Sequence, residues 1–295
     1  MFINLFGKYL ISKNLITTDQ LNVVREEQKK TRVKLGLIAI SEKLITEKQS
    51  EEINRKQAVM DKRFGDIAVE LGYLTDAQVS RLLDLQGNPY MLFAQTVTDK
   101  GFMTIAEIET AMDAYRKEKG LTVANIEDIK SGDLDRIVPI FLPGLNDQNV
   151  AELIGIAIRT INRLISTDLW MDMASITDSF SCDNCALQNM EGSLDVTIGL
   201  AGMKDELLVI ADTYAGESFE HMNLDALDSV GELINIVNGL FATALSYNKI
   251  QVELMPPSFY EEQCTLKGKE FCVVPMEVNQ KQVNLIASVG AKVTI

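Results

Sequence analysis

A carboxylate and a carboxamide stand three residues apart, at Glu232 and Asn235, in a segment with strong helical periodicity. At about 100° per residue, an α-helix places Asp228, Glu232, Asn235 and Gly239 on one stripe and the apolar residues of the segment on the opposite side. A carboxylate can pair with a cation on a partner, and a carboxamide can orient a water molecule without changing its protonation state. One face of the segment is therefore predicted to join the core, and the other can meet a partner.

Two glycines accompany these polar residues, at Gly231 and Gly239. Each costs a helix about 0.8 to 1 kcal/mol relative to alanine, so their presence suggests that another surface approaches the helix closely. We therefore predict that Asp228, Gly231 and Gly239 contact a partner.

Composition limits the classes of protein that this chain can belong to. The 295 residues are 46% hydrophobic and 24% charged, which predicts a globular protein of about two domains. A formal charge of -14 and a pI near 4.6 disfavour binding to nucleic acid or to an anionic membrane surface. Apolar runs are shorter than the ~18 residues of a spanning helix, and the first residues do not resemble a secretion signal. We expect a cytoplasmic, soluble protein without membrane insertion.

The cysteines and the histidine restrict metal and redox chemistry. Four cysteines are sparse for a disulfide-stabilised scaffold, so reduced thiols are the default. Cys182 and Cys185 have the spacing of half a zinc site, with Cys264 and Cys272 as conceivable further ligands, although the separation of the second pair is unusual. We predict ordinary thiols and no metal site or cofactor in this chain. His221 is the single histidine, which excludes sites that need several histidines from one chain.

The first 120 residues contain a sequence motif that repeats every 29 residues. It places a threonine at four equivalent positions, each followed three residues later by Gln or Glu: Thr17, Thr46, Thr75 and Thr104. This is the signature of a capping box, so a helix is predicted to begin after each threonine. Short apolar stretches around Gly7, Gly36 and Gly65 predict a preceding short helix. Residues 1–120 are thus predicted to be an all-helical tandem array whose units must stack.

The third repeat resembles the N-terminal domain of type II secretion ATPases, a family that includes MshEN-type domains. The resemblance rests on Arg63, Gly65, Gly72 and Gln86. It implies that these four residues bind cyclic di-GMP. The other repeats depart from this motif, and a structural or docking array is the alternative.

A segment rich in acidic residues, proline and glycine follows, and we predict a linker at residues 121–145. Beyond it, a helix over about 147–166 is predicted, then a β-hairpin of strands at 195–200 and 207–211. After the helix that carries Glu232, further strands are predicted near 249–254, 271–276 and 283–289. The predicted fold class is α+β, with long helices packed on an antiparallel sheet.

Residues 146–295 resemble the CheC/CheX family of response-regulator phosphatases. The resemblance rests on the order of elements and on Asp228, Glu232 and Asn235 running into the segment 249–257. It implies that Glu232 and Asn235 dephosphorylate the phospho-aspartate of a CheY-like receiver domain, with Mg²⁺ supplied by the receiver. The alternative is an inactive adaptor whose helix only docks a partner.

An earlier segment, Gln148–Gly155, echoes the spacing of the Glu232 helix. It keeps an acid at Glu152 but has Gly155 where the amide should stand. Coincidence is one interpretation of this echo. The other, implied by the resemblance, is a single-site protein that pairs as a homodimer as CheX does.

Overall fold

A computed structural model describes residues 1–28, 33–57, 62–85, 88–145 and 147–295. The chain divides into two compact units, Phe2–Gly132 and Asp133–Ile295, with Met1 grouped with the second. The fold is mixed, with helices alone in the described part of the first unit and helices plus an antiparallel sheet in the second. This confirms the predicted α+β class.

The first unit is built from short helices in the order that the repeats predict. They are α1 (Phe2–Ser12), α2 (Thr18–Gln28), α3 (Leu35–Ser41), α4 (Glu47–Gln57), α5 (Phe64–Glu70), α6 (Asp76–Asp84), α7 (Pro89–Asp99), α8 (Ile105–Glu118) and α9 (Val123–Ser131).

Capping boxes start the second helix of every repeat, as predicted. The hydroxyls of Thr75 and Thr104 accept the N–H of the residue three positions on, and the side chain of that residue accepts the threonine N–H. The same reciprocal bonds form at Thr17, where the two distances are 2.8 and 3.1 Å, and at Thr46, where they are 2.7 and 3.3 Å. Each pair satisfies N–H groups that an α-helix leaves open at its start.

A glycine in each of the first three repeats allows the two helices of that repeat to approach closely. A Cβ built at Gly7 would lie 2.5 Å from Leu21, one at Gly36 would lie 2.6 Å from Ser50, and one at Gly65 would lie 2.7 Å from Val79. The partner stands 14 residues after the glycine in each case. These glycines are therefore explained by helix packing.

A second recurring feature of the repeats is a left-handed residue that ends the first helix. The positions are 29 residues apart, with φ of 56° at Asn14, 56° at Lys43, 70° at Gly72 and 69° at Gly101. Glycine and asparagine adopt this conformation readily. Gly72 thus has a backbone role, which the equivalent residues of the other repeats share.

The described part of the second unit combines four helices with eight strands. They are α10 (Leu134–Ile140), α11 (Gln148–Leu164), β1 (Leu169–Met171), β2 (Ser175–Cys182), β3 (Asn184–Gly192), β4 (Val196–Gly202), α12 (Leu208–Ala215), α13 (Leu224–Tyr247), β5 (Val252–Leu254), β6 (Ser258–Tyr260), β7 (Cys264–Val278) and β8 (Lys281–Val289).

The predicted linker at 121–145 is largely helical in the structure. Helix α9 starts with a capping box at Thr122 and belongs to the first unit, whereas α10 starts at the Asp133 cap and belongs to the second. Gly132 lies between them with a φ of 73°, a conformation that ends α9. The division of the chain therefore falls inside the predicted linker. Its acidic and polar residues are helix caps and exposed helix faces.

The sheet is antiparallel throughout its described pairs and runs in the order β1-β7-β8-β4-β3-β5, with β2 also paired to β7 and β6 to β3. The predicted strand at 207–211 is wrong, because these residues lead into and begin α12. Both hydrogen-bonding edges of β4 are occupied, by β3 and by β8, so a hairpin partner has no edge to join. A short apolar run does not itself distinguish a strand from a helix.

Helix α13 packs on this sheet and forms the centre of the second unit. Its buried side includes Leu227, Val230, Leu233 and Phe241, each 0% exposed. Among the described residues, α13 alone is long and apolar enough to cross a membrane, and 44% of its most apolar window is buried inside the protein. Its packing against the sheet is that of a core helix of a globular domain.

Candidate functional site

One stripe of α13 faces solvent, and it carries the predicted chemistry. Asp228, Glu232 and Asn235 are all exposed, while the apolar positions between them are buried. The side chain of Asn223 accepts the N–H of Ala226 at 2.9 Å and fixes where the helix begins. The helix thus presents the predicted catalytic residues Glu232 and Asn235 outward, one turn apart.

The side chain of Asn235 is hydrogen-bonded to a buried side-chain amide on the sheet. Gln188 of β3, 3% exposed, donates from Nε2 to Oδ1 of Asn235 at 2.9 Å. The same Nε2 donates to the carbonyl oxygen of Met255, also at 2.9 Å. Oε1 of Gln188 accepts from Nδ2 of Asn238 at 2.7 Å. Gln188 therefore links the sheet to α13 through two side-chain hydrogen bonds, and its third bond is to the Met255 carbonyl.

The carbonyl of Met255 determines which atoms of the Gln188 and Asn235 side-chain amides are donors and which are acceptors in this network. A carbonyl oxygen only accepts hydrogen bonds, so the Gln188 atom that faces it must be the Nε2 donor. The same donor faces Asn235, so the Asn235 atom that meets it must be Oδ1. Asn235 consequently keeps both N–H donors of Nδ2 and one lone pair of Oδ1 for groups outside the helix. An exposed amide with a fixed orientation suits the binding of a water and a charged oxygen together.

The two glycines of the predicted partner surface differ from each other. Gly231 is buried, and a Cβ there would lie 2.6 Å from the ring of Phe259 and 3.5 Å from Pro257. The prediction that Gly231 contacts a partner is wrong, because β6 of this chain occupies the space. Gly239 is partly exposed, and a Cβ built there would have no atom within 4 Å. Gly239 and Asp228 remain on the open stripe.

The echo on α11 keeps only half of the pattern. Glu152 is exposed, whereas Gly155 is buried and offers no side chain. Helix α11 packs against α13 and β8 with its apolar side. This helix therefore lacks the amide of the pair and serves the core.

Two of the predicted ligand-binding residues lie at a cleft of about 880 Å³ in the first unit. Arg63 is exposed at the N-terminus of α5, and Gly65 is the second residue of that helix. Gly72 is at the other end of α5 and does not line the cleft, and Gln86 lies outside the described residues. The charged groups that line the cleft are Lys34, Arg63, Glu47, Glu51, Asp66 and Asp99. Lys34 pairs with Asp99 at 3.0 Å, so Arg63 is the cation of the lining that an anionic ligand would meet.

Gln188 and Asn238 build the site, although neither is among the residues predicted from sequence. Gln188 directly follows the apolar residues Cys185, Ala186 and Leu187 in a strand that lies inside the sheet. That pattern is a usable signal, because a buried amide needs buried partners. Its partners come from a helix 47 and 50 residues away, which a local pattern does not reveal.

A protein-family model matches the part of the chain that carries these residues. The family model described as chemotaxis phosphatase CheX matches residues 184–277, which include Gln188, Glu232 and Asn235. The second unit therefore contains a CheX-like domain, and that part of the resemblance is confirmed. Comparison with curated proteins gave no match.

Several solved structures are similar to this half of the chain. A CheC-like superfamily protein from Shewanella sp. PV-4 is 16% identical, with a TM-score of 0.43, over 48% of this chain and 98% of its own. The chemotaxis protein CheX from Vibrio vulnificus is 17% identical, with a TM-score of 0.43, over 48% and 99%. A CheX–CheY–BeF3–Mg²⁺ complex from Borrelia burgdorferi contains a chain that is 15% identical, with a TM-score of 0.40, over 48% and 97%.

Proposed function

We propose that this protein is a signalling phosphatase that removes the phosphoryl group from the aspartate of a CheY-like receiver domain. The observation that carries the proposal is an exposed carboxamide, Asn235, fixed by buried Gln188 and placed one turn from the exposed carboxylate of Glu232. The CheX family match over residues 184–277 supports the same reaction.

Asn235 orients the attacking water in this proposal. Hydrolysis of an acyl phosphate requires a water in line with the phosphorus atom, so catalysis is chiefly positioning and charge stabilisation. The free lone pair of Oδ1 accepts a hydrogen bond from the water, and Nδ2 donates to a phosphoryl oxygen. The amide neither becomes charged nor forms a covalent bond, so Asn235 returns unchanged after each turnover.

Glu232 fixes the docking register. Its carboxylate lies outward on the same stripe, where it can pair with a lysine that the receiver places beside its phosphoryl group. A charge-assisted hydrogen bond of this kind is stronger than a neutral one and is directional. Asp228, one turn earlier, extends the negative surface toward the partner. The Mg²⁺ belongs to the receiver, where it neutralises charge on the phosphoryl oxygens.

The test is phosphate release from a phosphorylated receiver domain, measured with wild type, Asn235→Ala and Glu232→Ala. Helix α11 supplies a matched control, because Glu152 is exposed and is followed by the same Leu-Ile pair as Glu232. We expect both site variants to lose activity and Glu152→Ala to retain it. Equal rates in all four proteins contradict the proposal.

An adaptor without catalysis is the second candidate, and exposed apolar residues on α13 favour it. Leu240 is 43% exposed and Tyr247 is 83% exposed. Such residues suit a docking contact. An adaptor binds the phosphorylated receiver without changing its rate of phosphate loss, whereas an enzyme accelerates that loss. The phosphate assay therefore separates the two.

Ligand binding by the repeats is a separate proposal. Cyclic di-GMP is the ligand that the resemblance to secretion-ATPase N-terminal domains implies, and Arg63 at the 880 Å³ cleft is the residue that would meet its phosphates. Calorimetric titration of cyclic di-GMP into wild type and Arg63→Ala tests it, with Arg55→Ala as the control, since Arg55 is exposed but does not line the cleft. Absence of heat with wild type at tens of micromolar ligand ends this proposal.

The proposed localisation and oligomeric state rest on the same proposed function as a receiver-domain phosphatase. A phosphatase of receiver domains acts in the cytoplasm, where its substrate is. We also propose a homodimer, by analogy with CheX, and sedimentation velocity at micromolar concentration distinguishes a dimer from a monomer.

A further inference from the structure

Three cysteines that are distant in sequence meet at one end of the sheet. Cys182 ends β2, Cys185 lies at the start of β3, and Cys264 begins β7. The Sγ atoms of Cys182 and Cys264 are 3.5 Å apart, those of Cys185 and Cys264 are 3.8 Å apart, and all three lie within 4.8 Å of one another. All three thiols are free. We name these residues the thiol cluster.

The spacing of the thiol cluster matches that of ligands around one ion. A Zn²⁺–sulfur bond is about 2.3 Å, so two sulfurs on a tetrahedral ion are about 3.8 Å apart. A disulfide needs about 2.05 Å and its own backbone geometry. Cys182 and Cys185 flank the tight connection between β2 and β3, as the two cysteines of a zinc knuckle do. Cys264 is the direct cross-strand partner of Cys182 and closes the third side.

We propose that the thiol cluster is a metal site for a thiophilic divalent cation of the Zn²⁺ class. An all-sulfur donor set selects soft ions over Mg²⁺ or Ca²⁺. Cys182 and Cys185 are buried, whereas Cys264 is partly exposed, so the open side faces solvent through Cys264. A solvent molecule then completes the tetrahedron. This inference is independent of the phosphatase proposal.

The Sγ atoms of the thiol cluster lie close enough to hydrogen-bond to one another, so the three thiols are coupled. The hydrogen bond from Cys185 lowers the pKa of Cys182, and Cys264 adds a second such bond. The hydrogen bond to Cys182 and burial raise the pKa of Cys185. Burial raises the pKa of Cys264 to about 11. In the proposed site, each thiol that becomes a ligand releases its proton to solvent.

The surroundings give such an ion a structural role. Apolar side chains, among them Leu266, Phe271 and Val293, pack around the cluster. Three uncompensated thiolates are costly in such a setting, whereas a divalent cation offsets most of their charge. The bound ion ties the β2–β3 connection to β7 and thereby stabilises one end of the sheet.

Cobalt binding tests the proposal directly, because Co²⁺ at a tetrahedral thiolate site has intense visible absorption. The reduced full-length protein is titrated with Co²⁺ and then with Zn²⁺, alongside Cys185→Ser, Cys264→Ser and Cys272→Ala. Cys272 is the matched control, since it is a buried free thiol of β7 outside the cluster. Circular dichroism and thermal unfolding confirm that each variant is folded.

We expect one Co²⁺ per chain, displaced by Zn²⁺, with a higher melting temperature when metal is bound. The tetrahedral absorption is lost in Cys185→Ser and Cys264→Ser and kept in Cys272→Ala. Absence of this absorption in wild type with four titratable thiols identifies ordinary packing cysteines and overturns the proposal. A Cys182–Cys264 disulfide in the purified protein, combined with no metal binding after reduction, also overturns it.

Discussion

Replacing Gln188 by methionine tests whether the orientation of Asn235 is set from inside the protein. Methionine keeps the length and much of the volume of Gln188 but removes all three side-chain hydrogen bonds. A neutral hydrogen bond contributes about 0.5 to 1.5 kcal/mol, so releasing Asn235 should slow turnover about 2- to 12-fold. Receiver affinity should stay unchanged, because Glu232 and the surface of α13 are untouched.

The same substitution lowers stability, and this effect must be separated from the catalytic one. It leaves Asn238 Nδ2 without its partner, at about 1 to 3 kcal/mol because Asn238 is 0% exposed, and it also frees the carbonyl of the partly buried Met255. Leu285→Ala on β8 is the control, since Leu285 is 1% exposed and such a truncation costs a comparable 2 to 5 kcal/mol. Both variants are assayed at a temperature where unfolding curves show them folded.

A double-mutant cycle decides whether Gln188 acts through Asn235. If it does, adding Gln188→Met to Asn235→Ala produces no further loss of turnover, because the positioned group is already gone. Multiplicative losses refute the positioning role. So does a Leu285→Ala variant that is as slow as Gln188→Met.

Two further changes probe α13 and the first unit. Gly231→Ala should destabilise the protein by about 1 to 3 kcal/mol, because its methyl group would lie 2.6 Å from Phe259. Gly239→Ala places its methyl group in open space and should stabilise the protein by up to about 1 kcal/mol. Urea unfolding measures both changes in the free energy of unfolding, and changes of the same sign contradict the described packing. Burial raises the pKa of Tyr90 to about 12 from its usual 10, so above pH 10 the unfolded state loses a proton that the folded state keeps. Stability of the first unit should therefore fall from pH 10 to 12, and Tyr90→Phe should remove that part of the slope in alkaline unfolding curves.

The repeats were predictable from sequence because their signals are local. A threonine followed three residues later by Gln or Glu makes the same capping box in any surroundings, as Thr75 and Thr104 show. The apolar period of α13 likewise predicts its exposed face, and with it the accessible Glu232 and Asn235. The neighbour that a glycine accommodates, in contrast, cannot be predicted from local sequence. Gly231 meets Phe259, 28 residues away, and only the tertiary fold brings the two together.

Long-range pairing also explains which features could not be predicted from sequence. The run at 207–211 resembles a strand, but it forms a helix because β4 already has neighbours on both edges. The support of Asn235 by Gln188 crosses from α13 to β3. Spacing named Cys264 and Cys272 alike as further ligands for Cys182 and Cys185, and strand pairing brings Cys264 to them. Each of these outcomes depends on strand order, which periodicity alone does not determine.

Asn235 is proposed to act on the reaction and Glu232 on docking, and these two roles can be measured separately. For each variant, the affinity for a beryllofluoride-loaded receiver is determined together with the rate of phosphate release at saturating enzyme. Asn235→Ala should bind as wild type does and lose about 10²-fold in rate, while Glu232→Ala should lose about tenfold in affinity. If Asn235→Ala hydrolyses the phosphoryl group at the wild-type rate once bound, the proposed role of Asn235 is contradicted.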